Sequence, residues 1–166
     1  LANLAACLPL APSDATLLAQ VISLAHQTDA WEVAATSIEN AINTFTGAVE
    51  SETDAADIAR LAMRLGDIYE NELEQAGPAI AAYRQVLSYE KSHLGAATAI
   101  IRLAPKQHGW DHAAAALAGN AVAKDVLHPE LVAGYGKAAD DSNNFAAATA
   151  ALETALSNGS LAAAAA

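Results

Sequence analysis

The chain has one cysteine, Cys7, in 166 residues, which excludes a disulfide framework. Long runs of large apolar side chains are missing too. The 54% hydrophobic content comes largely from 45 alanines, and a charged residue, Asn or Gln interrupts nearly every block of ten. The mean hydropathy of +0.21 is therefore no sign of a membrane protein, and no transmembrane span is expected. Val, Ile and Thr never gather into alternating runs, so strands are not expected either. Cations are scarce: eight Lys and Arg stand against 19 Asp and Glu, a net charge of −11. Phosphate binding needs a concentrated basic surface, so nucleic acid is not an expected partner. The glycines form no phosphate-cradling loop. What the chain has in quantity is alanine, the residue with the best intrinsic helix propensity, and the fold class is all-α.

The tryptophans sit in matching words, Ala30-Trp31-Glu32-Val33-Ala34-Ala35 and Gly109-Trp110-Asp111-His112-Ala113-Ala114, 79 residues apart. Asn144-Phe145-Ala146-Ala147-Ala148 follows Trp110 by 35 residues. Between them lie Leu65-Gly66-Asp67-Ile68-Tyr69 and then Ala79-Ile80-Ala81-Ala82-Tyr83. This pattern resembles the tetratricopeptide repeat family, in which helix A carries Leu-Gly-x-x-Tyr and helix B carries Ala-x-x-x-aromatic. Placing Ala34, Ala79, Ala113 and Ala148 at the helix-B alanine gives spacings of 45, 34 and 35. The helix-A small-or-aromatic position then falls on Ala25, Tyr69, Ala104 and Ala139, with one extra residue before Ala79, and the inter-repeat proline on Pro12.

The resemblance implies a right-handed α-solenoid of antiparallel helix–turn–helix repeats, similar to long bacterial arrays that alternate longer and shorter units. The register gives the end of a preceding repeat at 1–12, repeats at 14–46, 55–91, 93–125 and 129–158, an insertion at 47–54, and a further helix or tail at 159–166. Helices are expected at about 1–10, 14–27, 31–46, 54–72, 78–90, 93–105, 110–123, 129–140 and 144–157, and from 161. Start signals are Ser13 or Asp14, Thr53 or Asp54, Pro78, Pro129-Glu130 and Asn143 or Asn144, while Gly47 and Gly159 read as stops. Trp31, Trp110 and Phe145 open helix B and are expected to be buried at the corner between helices A and B. Leu4-Ala5-Ala6-Cys7 matches a lipoprotein cleavage pattern, but no signal regions precede it. In the repeat register Cys7 is an ordinary packing residue, and the chain is expected to be a segment of a longer array.

In this family helix A lines the concave wall that receives peptides or partner helices. The resemblance places Gln20, Ser23, His26 and Gln27 there from the first repeat, and Arg60, Met63, Arg64, Asp67, Glu70 and Asn71 from the second. The third adds Thr98, Arg102 and Lys106, and the fourth Glu130, Lys137, Asp140 and Asp141. Such a mixed polar wall suits a protein or peptide better than a lipid or polyanion. Chaperone-binding members clamp a carboxylate with two basic residues placed as Arg60 and Arg64 are. That clamp needs an asparagine and a lysine from earlier repeats, and Gln20 is the nearest analogue, so pairing with Asp57 and Asp67 is the favoured role.

His108, Asp111 and His112 are the strongest metal-ligand candidates, since residues four apart share a helix face. His108, however, falls in the turn before Trp110, and no fourth ligand is evident. Glu70, Glu72 and Glu74 form an acidic turn with no nucleophile or base at a defined spacing. No catalytic residue, metal or cofactor is expected. The expected function is a non-catalytic protein–protein scaffold binding a partner on the helix-A wall, in a soluble chain with the cytoplasm favoured over the periplasm. The alternative is a structural subunit packed within a larger complex with its groove empty.

Overall fold

A computed structural model describes residues 1–46, 52–124 and 127–157. Every regular element among them is helical: α1 (Ala2–Cys7), a 3-10 turn (Leu8–Leu10), α2 (Ala15–Thr28), α3 (Trp31–Thr46), α4 (Glu52–Asn71), α5 (Ala76–Tyr89), α6 (Leu94–Gln107), α7 (Trp110–Lys124), α8 (Pro129–Asp141) and α9 (Phe145–Ser157). Among the described residues no helix is long and apolar enough to cross a membrane.

The helix boundaries have local causes. Asp14 caps α2, its Oδ1 accepting from the amides of Thr16 and Leu17 at 2.8 and 3.0 Å. His93 caps α6 through Nδ1, which accepts from the Ala96 amide at 3.1 Å. Pro129 opens α8, where a missing N–H costs no helical bond.

Four helix ends close on a left-handed residue: Asp29, Glu74, His108 and Asn143, with φ between 51° and 53°. After three of them the next amide returns to a carbonyl five residues back: Ala30 to Ala25, Gly109 to Ala104 and Asn144 to Ala139, at 2.9–3.1 Å. The fourth carries one more residue, so Gln75 N–H reaches Tyr69 O at 2.7 Å. These carbonyls belong to the residues that the register places at one helix-A position. The extra residue before Ala79 is thus accounted for, and the left-handed residues repeat at the expected intervals of 45, 34 and 35.

The chain divides into two compact units, Leu1–Gln85 and Val86–Ala166. In the first, α1 and the 3-10 turn pack on α3, α2 pairs with α3, and α3 pairs with α4. Ser37 Oγ ties α3 to α1 by donating to Ala5 O at 2.6 Å, with both residues buried. In the second, α6 pairs with α7 and α8 with α9, while α6 also packs on α8 and α7 on α9. Two hairpins therefore lie side by side in two layers. The helix-B alanines Ala34, Ala79 and Ala113 are fully buried and Ala148 nearly so, which leaves room only for a methyl group at each crossing.

Several expectations need correction. Cys7 is exposed, its thiol donating to Asn3 O at 3.2 Å, so it is not a core packing residue. The first helix stops at Cys7 and tightens into the 3-10 turn, because Pro9 supplies no amide for a continuing helix. Thr53 and Asp54 do not cap α4 but lie in its first turn. Part of the extra length assigned to 47–54 is therefore helix, and α4 has 20 residues against 14 in α2 and α6. Trp31 and Trp110 are buried as expected, but Phe145 is 52% exposed. Trp110 is covered from α8, where the Tyr135 ring meets it edge-on at 5.3 Å, whereas no described helix follows α9 to cover Phe145. The stops assigned to Gly47 and Gly159, residues 47–51 of the insertion, the helix from 161 and the run Ala162–Ala166 lie outside the described residues.

Candidate functional site

The helix-A side chains meet different fates in the two units. In the first, they are engaged by their own neighbours. Arg60 Nη2 donates to Asp57 Oδ1 at 2.9 Å and reaches Ser13 O at 3.4 Å. Arg64 pairs with Asp67 at 3.6 Å, and Asn71 donates to Asp67 O at 3.0 Å. Glu70 Oε2 and Asp67 Oδ1 accept from the Tyr83 hydroxyl at 2.9 and 3.1 Å. Gln20 is exposed, and so is Gln27, which contacts Ser23 Oγ at 3.5 Å. The two arginines therefore make the ion pairs expected with Asp57 and Asp67.

Tyr83 is the centre of this arrangement. Its ring lies over Gly66, where a Cβ would come within 2.7 Å of Cδ1, so any side chain there would displace the tyrosine. Burial, followed by the Glu70 hydrogen bond and the two carboxylate charges, pushes the phenol well above its ordinary range. Tyr69 donates to Glu39 Oε1 at 2.6 Å, and burial with that bond and charge pushes it up to about 12. These tyrosines link helices through their neutral hydroxyls.

In the second unit the faces of α6 and α8 leave a groove of about 440 Å³. Its floor is apolar, formed by Ile101, Pro105, Leu131, Gly134 and Ala138. On one bank, Arg102 and Lys106 stand one turn apart on α6; on the other, α8 carries Glu130, Lys137 and Asp141. Of the residues assigned to the binding wall, this groove gathers Arg102, Lys106 and Lys137. Thr98, Glu130 and Asp141, placed on helix A by the same register, also line it, but Asp140 does not. The floor residues Pro105 and Gly134 escaped the sequence reading. Their signals were a proline in the last turn of a helix and a glycine in the interior of one, neither required by a turn.

Gly134 keeps the groove open. A Cβ built there finds nothing nearer than Ile101 Cγ2, at 4.0 Å. Behind the floor, Tyr135 donates to Ala148 O at 2.9 Å and braces α8 against α9. Burial and the negative charge of Asp111 push that phenol up to about 12.

His108 terminates α6 in the left-handed conformation and is exposed, so it serves as a cap. Among the described residues no group of three or more His, Cys, Asp or Glu is arranged to hold a metal ion. A comparison of the chain with protein-family models, curated proteins and solved structures finds no match.

Proposed function

We propose that this chain is a non-catalytic scaffold of the tetratricopeptide type, a right-handed helical solenoid that receives a segment of a partner protein between α6 and α8. The observation that carries this reading is the α6/α8 groove, where an apolar floor lies between polar banks. Binding sites for protein segments combine these features: apolar contact supplies affinity, and charges at the margin select the partner. The fourfold turn and the paired layers of α6–α9 support the repeat reading.

A photo-cross-linking residue in place of Thr98, on the groove bank, tests the function. It should capture a protein that the same probe at Gly136, off the groove, does not. A second reading, a structural subunit packed in a larger assembly, is favoured by the exposure of Val132 and Phe145. Capture at Gly136 alone, with the groove probe unreacted, would favour that alternative.

A further inference from the structure

All five histidines of the chain stand at helix ends, and they divide by the end they occupy. His26 lies in the last turn of α2 and His108 terminates α6, where a positive charge meets the negative end of the helix dipole. His93 caps the start of α6, His112 stands in the first turn of α7, and His128 precedes Pro129 at the start of α8. There a positive charge meets the positive end of the dipole. These three belong to the second unit, and α6 and α8 are the helices that line its groove.

His93 is built into the backbone of its turn. Its amide donates to Glu90 O at 2.9 Å, and its carbonyl accepts the first bond of α6 from the Ala97 amide at 3.2 Å. The ring completes the cap, Nδ1 accepting from the Ala96 amide at 3.1 Å. Only a neutral ring can do this. The imidazolium carries a hydrogen on both nitrogens, so a proton removes the bond and leaves the Ala96 amide an orphan. The corresponding cap of α2 is a carboxylate oxygen of Asp14, which keeps its lone pairs in mild acid. His128 adds a second cost: its Nδ1 is buried without a hydrogen-bond partner, so a proton there is a donor lacking an acceptor.

Few groups are placed to offset these charges. Tyr89, Glu90 and Lys91 precede His93; α7, whose last turn returns towards the start of α6, ends at Lys124; and α8, packed on α6, begins with His128 and Glu130. Asp111 neighbours His112, and Asp125, three residues before His128, lies outside the described residues. Among the described residues no histidine is in an ion pair.

We propose that the second unit carries a proton switch: neutral His93 holds the start of α6 in place, and its protonation in mild acid loosens that end of the α6/α8 groove. Histidine is the side chain that ordinarily changes charge between about pH 8 and pH 5. The unfolded chain has no cap to lose and takes up these protons more readily, so the stability of the unit falls as pH falls. His108 offsets only part of this, because it is exposed and its charge is screened.

The test is urea unfolding of the full chain at about pH 7.5 and about pH 5.5, read by tryptophan fluorescence. Trp31→Phe leaves Trp110 to report the second unit, and Trp110→Phe leaves Trp31 to report the first. The folded-to-unfolded ratio of the second unit should fall about fivefold between the two pH values, the usual worth of a helix cap, while that of the first stays level. His93→Asn supplies a cap that takes no charge and should abolish most of the fall. His108→Asn, which tolerates the left-handed conformation, should leave the fall in place or enlarge it. In the parent chain the hydrogen-exchange protection of the Ala96 amide should drop at the lower pH. A second-unit transition that does not move with pH, or that moves as far in His93→Asn, would overturn the proposal. So would a fall that is lost only in His128→Asn, which places the switch at α8. If both tryptophans report one transition, the His93→Asn comparison and the Ala96 protection decide.

Discussion

Comparison of the α4 face in the first unit with the α6/α8 face in the second shows how a glycine inside a helix can serve two ends. Around α4, Tyr83 occupies the glycine notch, and Asp67 and Glu70 accept its proton. The arginines there are held by aspartates three residues away. Around α8, the glycine notch is open and its charged neighbours line a groove. A helix face of this type is closed by an aromatic from its own hairpin or left open for another chain. Tyr83, two turns into α5, closes the face at Gly66, whereas at Gly134 the nearest atom to an added Cβ is Ile101 Cγ2 of α6, at 4.0 Å.

The largest effect that would test this contrast is at Trp110. Trp110→Ala removes a 2% exposed ring packed on Tyr135 and should lower the unfolding free energy by about 3–5 kcal/mol in denaturant melts. A loss below about 1 kcal/mol would mean that α7 and α8 are not joined through this ring.

Next comes Gly66→Ala, whose methyl group meets the Tyr83 ring. It should destabilise by about 1–3 kcal/mol through overpacking. Gly134→Ala, by contrast, should stabilise by about 0.5–1 kcal/mol, because the helix gains propensity without a clash. Equal signs for the two substitutions would break the comparison.

Smaller still is Tyr83→Phe, which deletes the hydroxyl shared by Asp67 and Glu70, at a cost of about 1 kcal/mol. It also bears on pH dependence. The folded-state phenol values of Tyr69, Tyr83 and Tyr135 lie above the unfolded value of about 10. Above that pH the folded chain binds more protons than the unfolded one, so this contribution is complete below pH 10 and declines as pH rises towards 12 and beyond. Melts between pH 9 and 12 should show that decline, with a shallower slope for Tyr83→Phe. The smallest effect belongs to Phe145→Ala, within about 0.5 kcal/mol of the parent, since half of that ring faces solvent.

Much of the fold was legible because helices announce themselves locally. The cap at Asp14, the proline at Pro129 and the alanine period placed most helix boundaries within two residues. The groove was half legible. Arg102, Lys106 and Lys137 could be assigned to one face by counting turns, but whether a face is open depends on what its neighbours project onto it. The sequence offered Asp57 and Asp67 as partners for Arg60 and Arg64, and the structure has those pairs at 2.9 and 3.6 Å.

The sequence by itself therefore determined the helical class, the repeat interval and the positions where chains of small residues must cross. These follow from propensity, capping and periodicity, all of which act within a few residues. Only the tertiary structure decided that Phe145 stands exposed where Trp110 is covered, that Cys7 faces solvent, and that Gly134 opens a notch where Gly66 is filled. Each of these depends on a side chain brought in from another helix, and burial is a property of that meeting, not of the residue that undergoes it.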